Sequence, residues 1–105
     1  MQTTFSEALH SNRNRLIRRT KDAISTELDG ETVILNIDTG IYSGLDQVGT
    51  TIWNTLAEPA TFFNLKERIM ADYEVSEQRC SDDLCAFLDE LLKNRLITLD
   101  DGETA

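Results

Sequence analysis

Across residues 29–56, DGETVILNIDTGIYSGLDQVGTTIWNTL, the spacing of apolar positions changes from two to about 3.6 within a few residues. Val33, Leu35 and Ile37 share one side of an extended chain, with Thr32 and Asn36 on the other, the pattern of a largely buried strand. Asp38, Thr39 and Gly40 supply a turn, and residues 41–45 make a second short strand. Val48, Ile52 and Leu56 then recur with helical spacing, and Trp53 beside them reads as core. Upstream, Ile24, Thr26 and Leu28 alternate with Ser25 and Glu27, and Asp29-Gly30 is a hairpin signal. The prediction is an antiparallel meander of residues 23–28, 31–37 and 41–45. Its last strand lies at an edge with one partner only, and its other side offers unpaired N–H and C=O groups that can template another chain.

Three helices follow. Asp46 is the N-cap of the first, which runs to about Ala57 and stops before Pro59. Thr61 caps the second, with Phe62, Leu65, Ile69 and Tyr73 as its inner stripe and Lys66, Glu67 and Asp72 toward water. Ser76 caps the third, which extends to Asn94 with Cys80, Leu84, Phe87, Leu88 and Leu91 on one face. Residues 96–99 form a short final strand or extended tail. The fold class is therefore α+β: a three-stranded antiparallel sheet followed by three helices, like a winged helix-turn-helix domain whose wing comes first. Residues 1–15 are polar and unpatterned and are expected to be a disordered arm, 16–99 the domain, and 100–105 a tail.

Composition narrows the function classes. The chain has 105 residues, one domain's worth, with 40% hydrophobic and 28% charged residues. No apolar run approaches the ~20 residues that span a bilayer. The N-terminus lacks a signal peptide's apolar segment, so cytoplasmic residence is expected. The net charge of −9 is unevenly spread. Residues 1–21 carry five basic residues against Glu7, and the remainder carries five basic and eighteen acidic residues. So acidic a body repels phosphate backbones. The basic leading run reads as a solvated arm, part of it possible as an edge strand.

Chemistry is sparse. His10, the sole histidine, lies in the arm, far from any candidate nucleophile, which leaves Ser–His and Cys–His machinery without a base. Cys80 and Cys85, five apart on a helix, diverge by about 140°. They have neither redox nor zinc spacing and read as buried, inert thiols. Asp82-Asp83 and Asp100-Asp101 do not converge on one substrate atom, and the glycines are too dispersed for a phosphate loop. Gly40 suits a positive φ in its turn, and Gly44 a close backbone approach. Tyr42 projects to the face opposite Ile41 and Ser43, where its phenol either lines a groove or covers the sheet. No enzyme, cofactor or metal is expected.

The segments DGETVILNIDTGIYSGLDQVGTTIW, LAEPATFFNLKERIMADYEV and CSDDLCAFLDELLKNRLI, in that order, resemble the PqqD-like peptide-binding domains, also called RiPP precursor peptide recognition elements. The resemblance covers about residues 15–99. It is carried by a G-hydrophobic-Y-x-G-L segment, a helix with Gly49 and Ile52-Trp53, and DxLxxFLxxL on the last helix. It implies non-catalytic binding of the leader segment of a ribosomally made precursor peptide, which adds as an antiparallel strand and is delivered to a processing enzyme. A leader peptidase, as in lasso-peptide pathways, is the first choice of partner, and another modifying enzyme the next. By the same resemblance Gly40, Ile41, Tyr42, Ser43, Gly44 and Leu45 would supply the strand edge, and Asp83, Leu84 and Phe87 the cleft wall on the third helix.

The chain departs from the family pattern in three places. The founding coenzyme PQQ member has Pro-Glu-Gly where this chain has IDTG. Arg95 stands where Gly is common, which moves the left-handed helix cap to Asn94. Ser43 stands where an aromatic is frequent and leaves the groove more open. Two alternatives are a winged-helix nucleic-acid regulator, disfavoured by Asp82, Asp83, Asp89 and Glu90 on the would-be recognition helix, and a structural subunit of a maturation enzyme. The oligomeric expectation is a monomer or a weak edge-to-edge dimer.

Overall fold

The Asp29-Gly30 turn sets the register of the whole sheet. In the computed structural model, which describes residues 15–100, both turn residues have positive φ, 55° and 81°. That is the two-residue type I′ geometry whose twist matches the flanking strands. Strand β2 (Ala23–Leu28) therefore pairs β3 (Glu31–Asn36) with Leu28 opposite Glu31. Gly40, with φ 73°, helps turn the chain into β4 (Ile41–Leu45), which pairs β3 with Leu35 opposite Tyr42. The order β2-β3-β4 is the predicted meander.

Helices α1 (Gln47–Thr55), α2 (Phe62–Asp72) and α3 (Glu77–Lys93) follow, each starting at the predicted cap. Asp46 accepts from the Gly49 N–H, Thr61 from that of Asn64, and Ser76 from that of Arg79. Ile34 and Leu45 from the sheet pack with Ile52, Trp53, Leu65, Ile69, Leu84, Leu88 and Leu91 from the helices in one core. Trp53 is 1% exposed. Its indole N–H donates to Ser25 Oγ at 3.0 Å, and the Arg19 guanidinium stacks 4.4 Å from its ring centre. Desolvation of this half-buried guanidinium lowers its pKa. Of the two thiols, Cys80 is buried and its pKa is raised by that burial, whereas Cys85 is only half-buried, less enclosed than expected.

A second small sheet, not resolved into a pairing by the sequence, joins the two ends of the domain. Strand β1 (Ile17–Arg19) pairs β5 (Ile97–Leu99), with Arg18 opposite Thr98. Arg15 donates to the Asp100 carbonyl and Arg18 pairs with the Asp100 carboxylate, so residues at both limits of the described chain are tied to this ribbon. Residues 1–14, on which most of the predicted arm falls, and residues 101–105 lie outside the described residues.

Two expectations are corrected. The buried side of β3 carries Thr32, Ile34 and Asn36, while Val33 and Ile37 are exposed and Leu35 is half-buried. The polar pair can face inward because each side chain is bonded there: Thr32 Oγ1 lies 2.8 Å from Thr50 Oγ1, and Asn36 donates to the Arg95 carbonyl at 2.9 Å. The left-handed residue that ends α3 is Arg95, with φ 58°, and not Asn94. The Leu96 N–H reaches the Leu91 carbonyl and the Arg95 N–H that of Leu92, the paired bonds of a Schellman motif. That geometry demands positive φ one position beyond Asn94.

Candidate functional site

In an antiparallel ladder the residues of one strand alternate between bonding one neighbour and the other. The type I′ turn makes Leu28 and Glu31 a bonded pair, so positions 31, 33 and 35 of β3 serve β2. The Ile37 N–H bonded to the Asp22 carbonyl at 2.9 Å continues that series. Positions 32, 34 and 36 then serve β4, through Leu45, Ser43 and Ile41. What remains of β4 for the open side is the N–H and C=O of Tyr42 and of Gly44. Among the described residues no strand lies beyond β4.

This alternation sorts the six residues assigned to the edge. Tyr42 and Gly44 present main-chain groups outward. Ile41, Ser43 and Leu45 direct theirs into β3 and their side chains to the helix-facing side. Gly40 lies in the turn, its N–H bonded to the Asn36 carbonyl at 2.7 Å. Gly44, read as a site of close approach, has no atom within 4 Å of where a β-carbon would stand.

Helix α3 runs beside this edge. At the Leu45 end, the Phe87 ring sits against Gly49, itself beside Leu45. At the Ile41 end, Asn36, the residue opposite Ile41, donates to the carbonyls that terminate α3. On β4 Ile41 is exposed and Ser43 half-buried, and on α3 Phe87 is half-buried and Asp83 exposed. Leu84, read as part of the cleft wall, is 1% exposed.

At Gly49, which neighbours Leu45, lies an open cavity of about 320 Å³ lined from all three helices. Buried Ile52, Ile69, Cys80 and Leu84 form its base, Val48, Val75 and Phe87 its sides, and Asp46 and Asp83 line it as well. The Tyr73 hydroxyl, 3.0 Å from Thr51 Oγ1, braces α2 against α1 here. An apolar interior with carboxylates beside it suits a bulky apolar side chain whose neighbour in the guest is basic. Sequence reasoning brought Asp83, Leu84 and Phe87 to this place but missed Val48, Ile52, Ile69, Tyr73, Val75 and Cys80. One signal was available: Gly49 inside a helix costs about 1 kcal/mol relative to Ala and so marks a close approach.

Several charged side chains pair within the domain. Glu77 in the first turn of α3 bonds Lys66 of α2 at 2.9 Å, and that contact lowers its pKa. Arg79 pairs with Asp83 one turn along α3. Arg15, Arg18 and Arg19 of the basic run bond to the body, at Asp100 and Trp53. Among the described residues no group of three or more His, Cys, Asp or Glu side chains could hold a metal ion. No helix among them is long and apolar enough to cross a membrane.

The family described as coenzyme PQQ synthesis protein D (PqqD) matches residues 31–97. Two solved structures share the architecture. TbiB1 in complex with the TbiA(beta) leader peptide is 32% identical, with a TM-score of 0.73 over 84% of this chain and 99% of that one. Lasso peptide synthetase B1 complexed with the leader peptide is 20% identical, with a TM-score of 0.69 over 78% of this chain and 96% of that one, a likeness of fold. No curated protein matches the chain.

Proposed function

The chain belongs to the PqqD family, and from that premise we propose that it binds the leader segment of a ribosomally made precursor peptide by strand addition and delivers it to a processing enzyme. The open margin of β4 carries this reading: Tyr42 and Gly44 hold out two N–H and two C=O groups, and the guest would lie in a groove between this edge and α3 that leads to the apolar cavity at Gly49. Main-chain pairing supplies affinity that tolerates sequence, and the cavity supplies selectivity. The leader peptide bound to TbiB1, the 32%-identical relative, supports the ligand class.

Strand β2 is the other margin of the sheet, but its inward side chains Ser25 and Glu27 are taken up by Trp53 and Asn54 of α1. The cavity at Asn54 on that side is lined by Thr51, Asn54, Thr55, Arg68 and Asp72, polar and charged side chains that offer no apolar anchor site. The protein performs no chemistry in this scheme. It orders an extended peptide, fixes its register through one apolar anchor, and leaves the remainder of the precursor for the enzyme. A leader peptidase is the first choice of enzyme and another modifying enzyme the second.

Four main-chain hydrogen bonds at roughly 0.5–1.5 kcal/mol each, with one or two anchors buried at about 25 cal/mol per Å², give binding of order micromolar, about −8 kcal/mol. The test is a fluorescence-anisotropy titration of a labelled leader peptide. Saturation near micromolar concentrations is expected. No binding up to about 1 mM, around −4 kcal/mol, would overturn the reading.

A further inference from the structure

The outer face of the sheet, on the side away from the helices, is apolar, and none of the described residues covers it. Ile24, Val33, Ile37 and Tyr42 each leave between 46% and 68% of their surface exposed, and Leu28 leaves 74%. The register places Ile24, Leu35 and Tyr42 in one row across the three strands, with Thr26, Val33 and Gly44 in the next. These side chains offer an apolar surface on the order of 500 Å², the size of the largest patch on a typical monomer, which is often functional. In a chain with 19 acidic residues, the rows between the two ends of this face carry none. Acid is confined to the ends, with Asp29 and Glu31 at one hairpin and Asp22 and Asp38 at the other.

We propose that this outer face is where the enzyme that processes the bound peptide docks, by an apolar surface with a basic rim that covers the guest strand and the sheet together. The inference rests on the peptide-binding reading. Area argues for such a partner over a second copy. A standard interface buries about 800 Å² per partner, and the face alone falls short of it. A guest strand paired to β4 would extend the same pleated surface with its own alternate side chains and bring it to about that size. Charge argues the same way, since two copies, each at −9, repel where a basic rim is attracted. The enzyme would thereby distinguish loaded from empty protein, and by reciprocity would tighten the hold on the peptide.

The test uses the purified peptidase that cleaves the precursor, titrated onto the protein with and without bound leader peptide. Wild type is expected to bind it at least tenfold more tightly when loaded. Ile24→Lys with Val33→Lys should lose that binding at least tenfold while leader affinity stays within twofold. Ile24→Thr with Val33→Thr, which preserves strand preference, should show the same direction with a smaller loss. Peptidase binding unchanged in both variants overturns the proposal, as does equal affinity for loaded and empty protein. A wild-type dimer in sedimentation that the Lys variant dissolves also overturns it, in favour of a second copy. Failure of the wild type to bind leader peptide is a separate result, which brings down the functional reading on which this one stands.

Discussion

The Phe87 ring occupies the space into which any side chain at position 49 would project. A β-carbon built on Gly49 would stand 3.1 Å from Phe87 Cε1 and 3.2 Å from Leu45 Cβ. Those distances are tighter than ordinary van der Waals contact, so a side chain here moves either the ring or the start of α1. The contact ties the end of β4 to the middle of α3 and would set the width of the proposed groove where it meets the cavity.

Gly49→Ala should therefore act on binding more than on folding. The added methyl overpacks the junction at a cost of about 1–3 kcal/mol, partly offset by the roughly 1 kcal/mol that Ala gains over Gly in a helix. Chemical denaturation should show a loss of about 1 kcal/mol. Leader titration should show a several-fold weaker complex as Phe87 is displaced into the groove.

Proline substitution separates the two kinds of position on β4. Tyr42→Pro removes an N–H that points away from the sheet, so the fold should persist and leader affinity fall at least tenfold. Ser43→Pro removes an N–H spent on Ile34 and should cost about 2 kcal/mol or more of stability. Circular dichroism melts alongside anisotropy titrations distinguish the two outcomes.

The carboxylates beside the cavity set a salt dependence. Asp83→Asn, which removes the exposed pair with Arg79, should change stability by less than about 1 kcal/mol. It should weaken a leader that carries Lys or Arg beside its apolar anchor. Wild-type affinity should also fall between low and high salt, as expected for partly exposed charges. Affinity independent of ionic strength would count against a basic guest.

Asn36 and Arg95, fifty-nine positions apart, are coupled through the 2.9 Å bond that closes the end of α3. Asn36 also accepts from the N–H groups of Asp38 and Thr39. Asn36→Ala leaves these buried or turn-forming groups short of a partner and should cost about 2–4 kcal/mol. Arg95→Gly relieves an L-residue held at positive φ and should raise stability by up to about 1 kcal/mol. Both are read by denaturant midpoints.

Glu77 has its pKa lowered by Lys66. A depressed folded-state value means that the pair's contribution is present above the unfolded carboxylate pKa of about 4.3 and is lost as pH falls through the lower folded value. Glu77→Gln should leave stability near that of wild type in acid and slightly below it at neutral pH. Denaturation at a series of pH values between 3 and 7 reads the difference.

What could be read from the chain follows the range of the interactions. The hairpin at Asp29-Gly30, the positive φ of Gly40 and the caps at Asp46, Thr61 and Ser76 depend on neighbours a few residues away, and all stand where the pattern put them. The inward face of β3 was misread because Val33, Leu35 and Ile37 are the more apolar set. Thr32 and Asn36 are buried by bonds to Thr50 and Arg95 that periodicity does not register. The β1–β5 ribbon joins residues some eighty positions apart, and the cavity draws on three helices, so neither has a local signature. Of the candidate site, D-L-x-x-F marked positions on α3, while which members of β4 face outward waited on the register.

Hydrogen exchange on the free and leader-bound protein tests the central claim most directly. The amides of Tyr42 and Gly44 should exchange quickly when free and become protected by at least tenfold with peptide, while those of Ser43 and Leu45 are protected in both states. Unchanged exchange at Tyr42 and Gly44 under saturating peptide would contradict strand addition at β4.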